Sequence, residues 1–393
     1  MTTAVEERTT IRLTLGEFRK AVKDIASATG RTVGAPRGMT ITPDGNELVL
    51  SHSGQGFHTA VKVPAAGVGI KSITVDVREL NNLIKAAVPS QAKAVNAQEI
   101  ELDVREDTAS VELPGASTVL GKVDDIRPQF GGPVTENLFT VDARALRDGL
   151  AAVVHAAARD DTLPMLHCVG FTPQGESVRL RATDRFRLAE TTLPATPAGE
   201  AGDELLIPVE MVKRVKAVLR NSDGLVMVSR TAQDGVLFAT ERAHIVVTRT
   251  DAELPALNNL WPETAEHVAT ADRRELLRVA KAAKAVAETP DPKLQVTVRS
   301  GEMELAVRTK DGVQVMTVSA DVVGDDTRFL LNPQYFVQAV QSFPGKRVAL
   351  ALTGPNRPVV LFDSDVPATG GDTVPLEGIG PQRALMMPIR MPQ

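Results

Sequence analysis

The sequence predicts an α+β protein made from six copies of one unit, each a helix with several strands, paired into three domains. Three observations carry this expectation. Six short amphipathic helices begin near residues 14, 76, 142, 208, 270 and 332, about 62 to 66 residues apart. Between them the chain alternates apolar and polar residues, as half-buried strands do. One helix and a few strands bury little apolar surface alone, so the units must pair to form a core.

In chain order, the helices are "TLGEFRKAVKDIAS" (14–27), "DVRELNNLIKAAV" (76–88), "DARALRDGLAAVVHAAA" (142–158), "PVEMVKRVKAVLR" (208–220), "TADRRELLRVAKAAKAVAE" (270–288) and "NPQYFVQAVQSF" (332–343). Each opens on Thr, Asp or Asn, whose side chains accept from unsatisfied amide N–H groups, or on Pro, which fits the first turn. Each follows a short apolar run such as "SITV", "NLFTV", "ELLI" or "RFLL". The strand-like stretches are "ELVLSH", "EIELDV", "SVRLRATD", "LVMVSR", "LQVTVRS", "MELAVRT" and "RVALAL". Linker-like segments, "PQFGGPVTEN" (128–137) and "AELPALNNLWPETAEH" (252–267), carry Pro with Gly or Asn. They set domain boundaries at 1–130, 131–254 and 255–393.

Length and composition fit a soluble protein of several domains: 393 residues, 43% hydrophobic and 24% charged. Aromatics make up only 3%, so the cores must rest on Val, Leu, Ala and Ile. The single Cys168 excludes an internal disulfide and suits a reducing, cytoplasmic setting. "MTTAVEERTT" has no basic region followed by an apolar one, and no apolar run is long enough to span a bilayer.

The net charge of −5 argues at first against nucleic acid. The six helix windows, however, hold 16 Lys/Arg against 10 Asp/Glu, a balance of +6, and leave −11 elsewhere. Arg19, Lys20 and Lys23 oppose the apolar stripe of the first helix. Lys213, Lys216 and Arg220 do so in the fourth, and Arg274, Arg278 and Lys281 in the fifth. Such faces fit plain solvation, and an acidic shell around basic helices equally suits a polyanion met at one surface. "GRTVGAPRG" (30–38), with Arg31, reads either as a surface loop or as one that touches phosphate.

Catalytic and cofactor motifs are missing. There is no G-x-x-x-x-G-K-[ST], no H-E-x-x-H and no C-x-x-C. "SQAK" (90–93) is a chance-level Ser-x-x-Lys match, and His52 and His58 in "SHSGQGFHT" read as part of a Gly-rich turn. No nucleophile, base and orienter converge. The chain is expected to bind rather than catalyse, with no metal and no cofactor.

The stretch "ATDRFRLAE" (182–190) resembles a signature of the bacterial DNA polymerase III beta subunit, the sliding clamp, often written "ATDGHRLA". "AARDDTLPMLHCVGF" (157–171), "ELPALNNLWP" (253–262), "LTGPNRPVVL" (352–361) and the terminal "LMMPIRMPQ" (385–393) are similar to further family segments. The version with Arg185 and Phe186 looks like the actinobacterial one.

That resemblance implies a DNA-clamp fold: three domains of two half-repeats, closed into a head-to-tail ring homodimer around double-stranded DNA. The implied partners are the DNA polymerase III alpha subunit, other DNA polymerases, the clamp loader and repair proteins with short clamp-binding motifs. The resemblance places a partner-peptide pocket at Leu166, Thr183, Arg185, Phe186, Arg187 and Leu188, with Pro255, Asn259 and Leu260 from the linker side. Asn356, Pro358, Met386, Met387, Pro388, Ile389 and Arg390 follow from the last domain. Met387, Pro388 and Leu188 are expected as its apolar floor, and Asp184 as a turn residue. Asn259, Asn356 and "IPVEMV" (207–212) depart from the family pattern, and "DVPATGGDTVPLEGIGPQ" (365–382) is an added Pro/Gly segment expected to be mobile. Beside a housekeeping clamp, two alternatives stay open: a specialised clamp paralogue that replaces the main clamp under inhibitor pressure, and an enzyme with an unrecognised site.

Overall fold

The computed structural model describes residues 9–30, 37–68, 71–124, 132–199, 202–287, 291–354, 356–364, 373–376 and 379–390. Arg31 and parts of the Pro/Gly segment (365–372 and 377–378) lie outside the described residues.

Among the described residues are seven helices: α1 (Leu15–Ala28), α2 (Val77–Ala87), α3 (Lys93–Asn96), α4 (Ala143–Val153), α5 (Val209–Val218), α6 (Arg273–Val286) and α7 (Pro333–Ser342). All but the short α3 coincide with the six expected from periodicity. Their starts follow the cap chemistry. Asp76, Asp142, Asp272 and Asn332 each accept from backbone N–H groups of the first turn. Two helices are shorter than expected, one at its end and one at its start. After α4 the chain tightens into a 3-10 turn at Val154–Ala156, and α6 begins at 273 because 270–272 belong to the strand His267–Asp272.

Each of the six helices follows a strand and precedes three antiparallel strands. The leading strands are Thr9–Thr14, Ile73–Asp76, Val134–Asp142, Leu205–Pro208, His267–Asp272 and Thr327–Leu331. Each leading strand pairs with a strand of the neighbouring repeat, and three of them also meet their own repeat: Thr9–Thr14 pairs with Ala66–Val68, Val134–Asp142 with residues 195–197, and His267–Asp272 with residues 320–323. Thr9–Thr14 pairs with Glu99–Val104 of the second repeat, and Ile73–Asp76 pairs with Gly38–Asp44 of the first. The same exchange joins Val134–Asp142 to Leu225–Thr231 and Leu205–Pro208 to Cys168–Gln174. It recurs as His267–Asp272 with Arg347–Leu352 and Thr327–Leu331 with Leu294–Arg299. A repeat alone therefore leaves ladder N–H and C=O groups open, which explains why repeats come in pairs.

Packing divides the chain into two compact units. One comprises Met1–Arg147, Ala195–Gly202 and Glu210–Arg249. In it α1 and α2 pack together, and Phe18, Ile25, Met39, Ile41 and Phe57 are buried. Its third strands Phe57–Pro64 and Ala243–Thr248 pair edge to edge. Ala116–Gly121 pairs only with Thr108–Leu113, so its other edge has no strand neighbour among the described residues. The other unit comprises Asp148–Pro194, Asp203–Val209 and Thr250–Gln393. Here α6 and α7 pack over a core that includes Leu276, Leu294, Phe329, Phe336 and Phe343. Arg187–Thr191 pairs with Gln382–Met386, whereas residues 312–319 of Gly312–Val323 pair only with Glu302–Thr309.

Arginines tie the paired helices together. Arg19 of α1 donates to the carbonyls of Val88 and Ser90 just past α2, at 2.8 Å each. Arg147 of α4 donates to Leu219 and Ser222 at 2.5 and 2.6 Å, beyond α5. Arg273 of α6 donates to Gly345 at 2.7 Å, beyond α7. Guanidinium groups suit this position because the last carbonyls of a helix lack partners and carry partial negative charge. Arg19, read from sequence as facing DNA, is thus also a helix-end cap.

His52 and His58 are strand residues flanking the two-residue turn at Gln55 and Gly56, which corrects their reading as part of a loop. Only Gly56, at φ +76°, needs the left-handed conformation. His52 Nδ1 lies 2.7 Å from the Gly38 carbonyl, His58 Nδ1 lies 2.9 Å from Ser53 Oγ, and the His58 and His244 rings are 6.1 Å apart. Burial, then the neighbouring His244 and His52, pushes His58 down to about 4. The unfolded chain, with His near 6.5, therefore binds a proton that the folded chain refuses. Stability contributed by His58 is full above about pH 6.5 and is lost as pH falls toward 4. We expect urea midpoints to fall across that window, and His58→Gln to make the decline shallower; an unchanged slope would show that His58 is not responsible.

Candidate functional site

The hairpin joining Ser177–Thr183 to Arg187–Pro197 turns through Asp184, Arg185 and Phe186. Asp184 Oδ1 accepts from the N–H groups of Phe186 and Arg187, both at 3.0 Å. Thr183 Oγ1 donates to the Arg187 carbonyl at 2.7 Å and accepts from Arg185 N–H at 3.2 Å. These bonds hold Arg185 at φ +78°. For a residue with a Cβ, that left-handed conformation costs roughly 1–2 kcal/mol, and the turn keeps it nonetheless.

Arg187 anchors the turn from beneath. Its Nε donates to Asp184 Oδ2 at 2.9 Å, its Nη1 donates to Gln338 Oε1 at 2.6 Å, and its guanidinium lies 3.9 Å from the centre of the Tyr335 ring. Both ion-pair side chains are nearly fully buried, at 3% and 9% exposure. Burial lowers the Arg187 pKa and Asp184 opposes that shift; burial also raises Tyr335, with Asp184 adding to it. A buried cation with a carboxylate, an amide and a ring around it is a fixed support.

Above this support lies a cavity of about 480 Å³. Its apolar wall is Leu163, Leu166, Phe186, Ala158 and the Tyr335 ring, and its polar rim includes Arg159, Asp160, Thr162, Asp184 and Arg185. Phe186 is 58% exposed, an unusual state for so large an apolar side chain.

Of the residues expected at a pocket, Leu166, Arg185 and Phe186 line this cavity, and Thr183 and Arg187 build the turn beside it. Leu188 packs into an interior cluster with Cys168 and Leu206, and Met386 into one with Phe336 and Leu361. The expected floor of Met387, Pro388 and Leu188 is therefore not the floor of this cavity. Met387 is exposed, and its N–H donates to the Phe186 carbonyl at 2.8 Å; Ile389 N–H donates to the Leu330 carbonyl at 2.7 Å. Pro388 is half-buried and Arg390 exposed. Pro255, Asn259, Leu260 and Asn356 are exposed and Pro358 is half-buried, and none of the five borders the cavity.

Arg159, Leu163 and Tyr335 escaped the sequence reading as site residues. Tyr335 is the only Tyr in the chain and sits in the first turn of α7, which was a recoverable signal. Arg159 and Leu163 lie in the "AARDDTLPMLHCVGF" segment, whose irregular backbone gives no period to read.

On α1, Lys20 is exposed and bound to Glu17 at 2.8 Å, and Lys23 is exposed. On α5, Lys213 is exposed and bound to Glu210 at 2.6 Å, Lys216 is half-buried, and Arg220 beyond the helix is exposed. Between them Asp24 is fully buried, accepting from Asn221 Nδ2 at 2.7 Å and from Arg242 Nη1 at 3.1 Å. Burial raises its pKa, and the Arg242 and Asn221 bonds work against that. In the other unit Arg274, Arg278 and Lys281 are all exposed on α6.

No group of three or more His, Cys, Asp or Glu could hold a metal among the described residues, and no described helix is long and apolar enough to cross a membrane.

Replacing Arg187 by Met should leave the largely buried Asp184 carboxylate without its cation. We expect a loss of about 3–5 kcal/mol of stability, read from urea unfolding; a loss under 1 kcal/mol would mean the pair is not needed to hold the turn.

The family description "DNA polymerase III beta subunit, central domain" matches residues 140–258, and "DNA polymerase III beta subunit, C-terminal domain" matches 258–370. A beta sliding clamp from Streptomyces coelicolor is 25% identical over 257 residues, 64% of this chain; the match spans only 66% of that clamp's own length. A beta sliding clamp homolog named GriR, from Streptomyces muensis, is 23% identical over 360 residues, 90% of this chain and 91% of its own. The crystal structure of a Pseudomonas aeruginosa sliding clamp bound to griselimycin superposes with a TM-score of 0.81 at 17% identity, covering 98% of this chain and all of that one. With two consecutive domain matches and this fold, the chain belongs to the DNA polymerase III beta-subunit family, the beta sliding clamps.

Proposed function

We propose that this chain is a sliding clamp: a non-catalytic cytoplasmic protein of three domains, about 1–130, 131–254 and 255–393, that closes into a ring around duplex DNA. It would tether the polymerase III alpha subunit, other polymerases and repair proteins to DNA after a clamp loader opens the ring.

One observation carries the reading. Of the six repeats, the third strands of the first and fourth pair, and those of the third and sixth pair. Those of the second and fifth, Ala116–Gly121 and residues 312–319, keep an open edge. On these edges Val119 is 64% exposed, Val313 61% and Val315 55%. An apolar open edge is a template for another strand. Two copies that pair these edges reciprocally make a heterologous contact that closes. Sedimentation equilibrium at micromolar concentration should give about twice 41.9 kDa. Val313→Lys with Val315→Asp should give monomers, and a wild-type monomer would refute the ring.

The basic stripes of α1, α5 and α6 would face the enclosed DNA. They are weak for direct binding, since Lys20 and Lys213 are already paired with Glu17 and Glu210. Retention should therefore be topological. Loaded on a closed circle, the protein should withstand moderate salt and be released once the circle is cut, while short linear duplex binds poorly and with steep salt dependence. Equal loss from circular and linear DNA would sink this reading.

The cavity at Phe186 would receive partner peptides, as a pocket with apolar anchors and a polar rim does. A second reading, a specialised clamp that replaces the main clamp under inhibitor pressure, is favoured by the similarity to the clamp homolog GriR over 90% of this chain.

A further inference from the structure

Resting on the peptide-pocket reading above, we infer that Arg185, with Arg159, selects partner segments that carry an acidic side chain beside their apolar anchor. The cavity has two halves of different chemistry. Leu163, Leu166 and Phe186 offer apolar contact, and Leu163 and Phe186 remain 38% and 58% exposed. The rim offers charge, and the charges do not cancel. Asp184 is neutralised from within by Arg187, at 2.9 Å, and spends its other oxygen on two backbone N–H groups. Asp160 turns onto the N–H of Thr162 at 3.1 Å and is fully solvated. Arg159 and Arg185 are exposed and form no ion pair among the described residues. The cavity mouth therefore presents two cations against one carboxylate.

The backbone strengthens the assignment to Arg185. At φ +78° a Gly would sit without strain, and Asn or Asp with little. The turn holds a long cationic side chain there instead, through the Thr183 and Asp184 hydrogen bonds. Arg185 held in this conformation is one of the residues that line the cavity. Strain retained at a rim position points to recognition rather than to folding. The occupant that fits is a peptide whose Leu or Phe enters the apolar half while an adjacent Asp or Glu meets the two guanidinium groups. Arg favours this over Lys because its planar fork can take both carboxylate oxygens.

The test uses the full chain and two fluorescein-labelled peptides of a Gln-x-x-Leu-x-Phe pattern. Both are capped at their ends and differ only in Glu or Gln next to the apolar anchors. Anisotropy should show the Glu peptide binding about two- to fivefold tighter in low salt, as for a partly exposed ion pair, with the gap narrowing in ~0.5 M salt. Arg185→Gln should remove the preference at unchanged Tm. Arg185→Gly should remove it and raise Tm, because the strain is relieved. Equal binding of the two peptides to the wild-type chain, or a preference that persists in both variants, overturns the inference while leaving the pocket intact. Failure of either peptide to bind at all overturns the pocket reading and this inference together.

Discussion

The reciprocal exchange of leading strands between neighbouring repeats is the constraint on which the rest of this structure depends. Thr9–Thr14 completes the sheet of the second repeat while Ile73–Asp76 completes that of the first, and the same reciprocity recurs twice. A strand paired outside its own repeat removes the open edge that repeat would otherwise present. The exchange occupies one edge of every leading strand, and third strands carry the pairing between repeats further apart. Four of those pair with one another across distant repeats, whereas Ala116–Gly121 and residues 312–319 pair only within their own hairpins. The same edge count leaves these two strand edges without a neighbour among the described residues.

Helix placement follows from the same exchange. Each helix begins where its leading strand ends, so the caps at Asp76, Asp142, Asp272 and Asn332 sit at sheet margins. Arg19, Arg147 and Arg273 then bind carbonyls just beyond the far end of the partner helix. The helices are consequently amphipathic in a restricted sense. One face packs, part of the basic face caps a neighbour, and only the remainder, such as Lys23, Arg274 and Arg278, stays exposed. This division explains how an acidic chain can still present modest basic stripes.

The site uses the third strands in another way. Where Arg187–Thr191 pairs with Gln382–Met386, the hairpin turn before it is held against Tyr335 and Gln338 by a single buried guanidinium. Desolvation makes Arg187 dependent on Asp184, and Asp184 in turn shapes the backbone of Arg185 and Phe186. The exposed ring of Phe186 and the strained Arg185 are thus consequences of one interior ion pair.

Six helices, their caps and the six-fold spacing were legible in the sequence, because they rest on local chemistry: a cap residue, a 3.6-residue period and a strand-like alternation on either side. Asp184 was legible as a turn residue for the same reason. Strand partners were not, since exchange between repeats joins residues some 30 to 90 positions apart and leaves no local period; Thr14 with Glu99 is one such pair. Only tertiary structure showed that Leu188 and Met386 lie inside the core, that Arg19 caps a helix end, and that Tyr335 stands beside Arg159 and Leu163 at one cavity. An exposed and a buried residue on a short strand look alike in sequence when sheets are covered on both faces. The sequence by itself determined which segments could be helix or strand and where the chain must turn; the tertiary structure decided which edges were satisfied and which side chains were left to meet a partner, because both depend on packing between residues far apart in the chain.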